Sequence, residues 1–142
     1  MGILPQLFET VKKTSLDSLN TFESDLYELQ EELESELIAV MGFSGEFSGL
    51  PLISSTDDEE IVKKFSTKLS ERFPDLEDVF KDKFFNQIIL NFEDLFFFFK
   101  PLTKKTGILA IVHQVEHIKS IKKWLKEKSS LLEDVFEEKI EL

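Results

Sequence analysis

The chain has 142 residues, a hydrophobic share of 42%, a net charge of −11 at pH 7 and no cysteine. This length and apolar content favour one folded domain, and the acidity disfavours nucleic acid and anionic membrane surfaces as partners, because binding to phosphate needs clustered cations. The absence of cysteine excludes disulfides and thiolate chemistry, and the longest apolar runs, of five residues, are too short for a transmembrane segment.

The N-terminal part predicts a short extension followed by a long helix. Residues 1–14 contain an apolar segment around Pro5 that fits a short amphipathic turn or helix, and no basic region precedes it as in a secretion signal. Leucine and phenylalanine then recur every three or four residues from Leu16 to Leu37, with acidic and polar residues between them. We therefore predict an amphipathic helix at the start of a single domain that covers residues 15–142. We expect the protein to be cytoplasmic.

A hairpin and a second helix are predicted next. An apolar run begins at Leu37, and "LPLISS" follows a segment punctuated by three glycines, which is typical of two strands joined by a turn. The acidic residues at positions 57–60 suit the first turn of a helix. Its apolar face would comprise Ile61, Val62, Phe65, Leu69 and Phe73, before Pro74 ends or kinks it.

Three strands and a terminal helix complete the predicted order. "FFNQIILNF", "LFFFFKPL" and "ILAIV" read as strands, joined by a tight turn at Glu93–Asp94 and by "TKKTG". Beyond His113, the apolar spacing predicts one long terminal helix that reaches Phe136. The fold class is therefore α+β: a five-stranded antiparallel sheet with helices on both faces, in the order α-β-β-α-β-β-β-α.

The four consecutive phenylalanines, Phe96 to Phe99, fit neither the alternation of a half-exposed strand nor the stripe of an amphipathic helix. Both faces of such a strand must be buried, so we predict a central strand between two layers of helices. The competing interpretation is an exposed aromatic platform for single-stranded nucleic acid. The acidic composition and the lack of interleaved arginine disfavour it.

"ELIAVMGFSGEFSGLPLISS" and "LFFFFKPLTKKTGILAIV" resemble the first hairpin and the fourth and fifth strands of the Roadblock family of dynein light-chain-type domains, which are related to profilin-like and longin folds. The resemblance covers residues 15–130. It implies binding without catalysis and without a cofactor, because Roadblock domains serve as scaffolds or regulators for small Ras-like GTPases and motor complexes. The main alternative is a longin or profilin-like trafficking or motor-complex adaptor, although longin domains usually start with strands.

The resemblance also implies a dimer, either with a second copy or with another Roadblock-like chain, because the family pairs through the central helix and the third strand. Independently, "NQIILNF" would be a flat apolar edge, which aggregates unless it is paired or covered. A two-fold axis closes such an edge. The expected interface residues are Phe65, Leu69, Arg72, Phe73, Gln87, Ile88, Ile89, Leu90 and Asn91.

One motif points to an enzyme instead. "HQVEH" matches the H-x-x-E-H pattern of inverted zinc peptidases, in which His113 and His117 would bind zinc from one helix face and Glu116 would act as general base. A further acidic ligand far downstream is required, and 25 residues follow His117. We therefore keep His113 and His117 as weak metal candidates, and Trp124 as either an interface anchor or a core residue.

Overall fold

The computed structural model describes residues 2–3, 13–42, 51–55, 60 and 86–140. In chain order, the elements within these residues are β1 (Gly2–Ile3), α1 (Lys13–Leu33), β2 (Leu37–Gly42), β3 (Pro51–Ser54), β4 (Ile88–Asn91), β5 (Phe96–Pro101), β6 (Thr106–Val112), α2 (Val115–Glu127) and α3 (Ser129–Phe136). The second predicted helix, from Ile61 to Phe73, lies outside the described residues. Within the described part of the chain, no helix is long and apolar enough to cross a membrane.

The long N-terminal helix is present. Its apolar residues recur every three or four positions and are buried: Leu19, Phe22, Leu26, Leu29 and Leu33. The helix ends where Glu34 takes a left-handed φ of 51°, and the N–H of Ser35 donates to the carbonyl of Gln30 at 3.2 Å. Leu37, which fits both the helical and the strand pattern, belongs to β2.

All five predicted strands are confirmed, in one antiparallel sheet of order β1-β3-β2-β6-β5-β4 within the described residues. The sequence did not predict β1, which pairs Gly2 with Ser54 and adds a short sixth strand beside β3. Ser55 fixes the end of the first hairpin, because its hydroxyl accepts the N–H of Ile38 at 3.0 Å and its own N–H donates to the carbonyl of Ile38 at 2.9 Å.

Two apolar clusters cover the two faces of the sheet. One contains Phe98 and the inward faces of α1, α2 and α3, so the described helices share one side of the sheet. The other contains Phe97 and Phe99 with Leu109 and Ile111, and these residues are also buried. The phenylalanine run is therefore a strand buried on both faces, between β6 and β4, as predicted.

The prediction of a single long terminal helix is wrong, because Lys128 separates α2 from α3. Lys128 leaves helical geometry at φ −97° and ψ 6°, although its N–H still bonds the carbonyl of Trp124 at 2.9 Å. Ser129 and Ser130 follow, and serine competes for backbone hydrogen bonds. The break lets α2 bury Ile121 in the cluster under the helices while α3 packs against α1.

Candidate interaction surface at the sheet edge

Strand β4 forms one edge of the sheet, and no strand among the described residues lies beyond it. Its inner side pairs with β5, so that Ile89 lies opposite Phe98 and Leu90 opposite Phe97. Cross-strand partners project to the same face. Ile89 therefore lies on the helical face of the sheet with Phe98, and Leu90 lies on the opposite face with Phe97.

This edge exposes apolar side chains. Ile89 is 41% exposed, Leu90 47% and Phe92, just beyond the strand, 53%. Its outer backbone N–H and C=O groups also face no strand among the described residues. An apolar edge with free backbone groups is a template for pairing with another chain. We refer to Ile88–Asn91 together with Phe92 as the β4 edge.

A tight turn connects the β4 edge to the core, as predicted. The N–H of Phe92 donates to the carbonyl of Leu95 at 2.9 Å, which places Glu93 and Asp94 at the corner. Behind the edge, Leu95 and Ile88 pack against the cluster that contains Phe97 and Phe99. The exposed hydrophobic residues thus lie on a strand that is anchored on its inner side.

His113 links this turn to the connection between α1 and β2. Its Nε2 lies 2.9 Å from a carboxylate oxygen of Glu36, and its Nδ1 lies 3.4 Å from the carbonyl of Asp94. Both partners are acceptors, so only the doubly protonated imidazole donates to both. The hydrogen bond to Glu36 and, secondarily, the one to Asp94 raise the pKa of His113 above its ordinary value.

The zinc-peptidase geometry is not formed. His113 lies before the N-cap of α2 and bonds Glu36, whereas His117 lies in the first turn of the helix, so the two imidazoles do not share a helical face. Within the described residues, no group of three or more histidine or acidic side chains could hold a metal ion.

The structure brings together one part of the expected interface. Five of the expected residues lie in or next to β4, and all of them except Ile88 are exposed: Gln87, Ile88, Ile89, Leu90 and Asn91. The remaining expected interface residues lie outside the described residues: Phe65, Leu69, Arg72 and Phe73.

Trp124 packs against Phe22 of α1, with ring centroids 5.4 Å apart at 48°. It is half-buried beside the cluster under the helices, which favours the packing role over the interface role.

The fold has counterparts among solved structures. Myxococcus xanthus MglB aligns over 82% of this chain and 91% of its own, at 10% identity and a TM-score of 0.66. A structure described as MglB with tetrameric arrangement aligns over 89% and 93%, at 10% identity and a TM-score of 0.62. A Roadblock/LC7 domain from Streptomyces avermitilis aligns over 71% and 94%, at 11% identity and a TM-score of 0.52. The chain has the Roadblock fold.

No family model and no curated protein matches the sequence. The resemblance to Roadblock domains is confirmed at the level of the fold, although only about one aligned residue in ten is identical. Apolar patterning specifies such a fold without fixing the individual side chains.

The expected interface residues did not include Phe92, and the pairing of His113 with Glu36 was not predicted from the sequence. Phe92 belongs to the predicted strand "NQIILNF", but it lies one residue beyond β4, in the turn. Glu36 and His113 are 77 residues apart and meet because β2 and β6 are neighbours in the sheet. For Phe92, its position directly before the Glu93–Asp94 turn was the available sequence signal.

Proposed function

We propose that this Roadblock domain is a non-enzymatic scaffold that dimerises through the β4 edge and, as a dimer, binds or regulates a small Ras-like GTPase. The observation that carries the proposal is the exposed apolar edge strand on a Roadblock fold. The tetrameric arrangement described for an MglB neighbour supports the tendency of such domains to assemble. The GTPase is the partner that the Roadblock resemblance implies.

The geometry of an antiparallel sheet restricts the proposed dimer. Two copies of β4 related by a two-fold axis pair as antiparallel strands, with the axis perpendicular to the sheet. The two sheets then become one continuous sheet with both helical faces on the same side. Leu90 of each copy lies near the seam on one face and Ile89 on the other, so both faces of the seam bury apolar surface.

Dimerisation is tested with Ile89→Lys and a matched control. The side chain of Ile89 is exposed in the monomer, so we expect the variant to retain its circular dichroism spectrum and to change from dimer to monomer mass in light scattering at micromolar concentration. Tyr27→Lys places the same charge on a comparably exposed residue of α1, at 43%, and should stay dimeric. A monomeric wild type would refute the dimer.

The GTPase partner is tested by affinity capture from the source cell with and without a non-hydrolysable GTP analogue. We expect a small GTPase to be retained by the wild type and depleted with Ile89→Lys. Recovery of coat or motor subunits without a GTPase would instead favour the adaptor function. Because the two experiments are separate, dimerisation can hold while the GTPase assignment fails.

A further inference from the structure

Helix α2 carries a row of lysines on the side that faces away from α1. Lys119, Lys122 and Lys126 recur at spacings of three and four residues, which places them on one flank of the helix. The other flank carries Trp124, which packs on Phe22 of α1, and it continues toward Lys128, which bonds Asp25 of α1 at 2.8 Å. The lysine row therefore lies on the side toward β5 and the β4 edge.

Lys100 of β5 joins this row. Its Nζ donates to the carbonyl of Asn86 at 3.3 Å, just before β4. Burial lowers the pKa of Lys100, and the nearby ammonium groups of Lys122 and Lys126 lower it further. Lys122 in turn lies over the Phe98 ring, with Nζ 5.8 Å from the ring centroid. We call Lys100, Lys119, Lys122 and Lys126 the lysine flank.

The lysine flank forms no ion pair within the part of the chain that the structure describes, although the protein carries 28 acidic residues. Eight of the acidic residues, with one lysine, lie between Lys13 and Glu36, on α1 and just after it. Ammonium groups that repel one another, and that pair with no described carboxylate, favour an anionic ligand.

Apolar side chains border the lysine flank. Ile89 lies on the same face of the sheet, opposite Phe98, and is 41% exposed. Val115 precedes Lys119 by one helical turn on the same side of α2 and is 42% exposed. The surface therefore combines four cations with two exposed apolar groups, so it matches a ligand that carries both acidic and apolar side chains.

We propose that the lysine flank binds an acidic segment of a partner protein that also carries apolar side chains. A narrow segment contacts the flank alone. A bilayer or a long nucleic acid presents an extended anionic surface, which also meets the acidic residues of α1 and is repelled by the net charge of −11. The shape of the charge distribution therefore favours a short protein segment.

The lysine flank would add a partner-binding surface to the proposed dimer, but it does not require the dimer. In the dimer proposed above, both helical faces lie on the same side of the continuous sheet, so the two lysine flanks would lie on either side of the seam. Two acidic segments, or the two ends of one segment, then bind side by side, and the second contact gains from effective concentration. A monomer retains one complete flank.

The test uses fluorescence anisotropy of an end-labelled peptide rich in glutamate and leucine, titrated with the full chain at low and at high salt. We expect binding at low salt that weakens as salt rises. The double variant Lys122→Gln/Lys126→Gln should bind about tenfold more weakly, because two charge-assisted contacts are lost. Lys105→Gln/Lys139→Gln removes the same charge from exposed lysines outside the flank and should match the wild type.

The other outcomes overturn the proposal. They are absence of peptide binding at low salt, equal weakening in both double variants, and binding of phosphatidylserine vesicles or oligothymidylate in place of the peptide. Light scattering on the same samples measures the oligomeric state separately. Leu90→Lys changes the β4 edge on the face opposite the lysine flank. If this variant is monomeric and still binds the peptide, the lysine flank is supported, and the β4 edge is identified as the dimer interface.

Discussion

Gly107 lies at a position in the sheet that has no room for a side chain. It pairs with Pro101 across β5 and β6, and a Cβ at this position would contact the Phe99 ring and approach the carbonyl oxygen of Lys100 at 2.9 Å. We expect Gly107→Ala to lower the free energy of unfolding by about 1–3 kcal/mol, the usual effect of overpacking a core. Urea denaturation measures the change.

A second substitution identifies the cause. If the added methyl collides with the Phe99 ring, Phe99→Leu should cost less stability in the Gly107→Ala background than in the wild type, because the smaller side chain relieves the collision. Strictly additive effects of the two substitutions would show that the loss comes from the backbone near Lys100 and not from the ring.

The imidazole of His113 is a second residue whose behaviour can be measured directly. Its pKa is raised by hydrogen bonds to Glu36 and to the carbonyl of Asp94. A raised pKa in the folded state means that this contact stabilises fully below the unfolded value of 6.5 and is lost as pH rises through the folded value. We expect an NMR titration of Glu36→Gln to show a lower pKa for His113 than in the wild type.

The control for this titration is Glu32→Gln, which removes an exposed carboxylate of α1 that has no hydrogen bond to His113. An equal fall of the His113 pKa in both variants would show that the general negative field of α1 is responsible. The pair would then be a consequence of net charge and not of the specific contact.

At the scale of elements, an ion pair joins the break between α2 and α3 to α1. Lys128 Nζ lies 2.8 Å from Asp25, with the two side chains 31% and 21% exposed. We expect a double-mutant cycle with Asp25→Asn and Lys128→Met to give a coupling of about 0.5–1 kcal/mol, as for partly exposed pairs. Thermal and urea unfolding of the four proteins measure it, and a coupling indistinguishable from zero would show that packing alone positions α3.

The five predicted strands followed from local pattern. Runs such as "ILAIV" and the four phenylalanines can be buried on both faces only in a covered sheet, and the turns at Glu93–Asp94 and "TKKTG" are short enough to impose antiparallel pairing. The apolar β4 edge was predicted for the same reason, since its register follows from the turn.

Other features depend on contacts that no local pattern encodes. Strand β1 has two residues, too few to show a period. The apolar spacing through Leu125 and Leu132 is compatible with one helix, and the break at Lys128 arises because α3 packs on α1, an element more than 90 residues earlier in the chain. The lysines of α2 recur every three or four positions in the sequence, but Lys100 joins them only through the sheet.

At the scale of the molecule, the two proposed surfaces would serve different contacts. The β4 edge offers backbone groups and apolar side chains, which suit pairing with a second strand. The proposed lysine flank offers charge on the helical side of the sheet, where Val115 lies beside it, and pairing of the edge through Ile89 would leave its four lysines accessible. A scaffold needs this separation, because a dimer whose assembly consumed its only interaction surface would have none left for a partner.

For the proposed dimer, a further prediction concerns whether it would contribute chemistry to a bound GTPase. An arginine finger raises GTP hydrolysis by factors of roughly 10³ to 10⁵. The chain contains a single arginine, Arg72, and lysine lacks the planar fork that binds phosphate through two parallel hydrogen bonds. A finger also needs an exposed and mobile position, whereas the Roadblock resemblance implies that Arg72 lies near the dimer seam. We therefore expect any stimulation to be indirect, through ordering of the GTPase's own residues.

The decisive variant is Arg72→Ala, assayed with the GTPase recovered by affinity capture. Binding should remain within a few fold of the wild type, and any stimulated hydrolysis rate should change by less than about tenfold, because no transition-state contact is lost. Arg72→Lys serves as the control, since it keeps the charge and removes the fork. A fall of a hundredfold or more in both variants, with binding intact, would identify Arg72 as the finger and place part of the catalytic site on this protein.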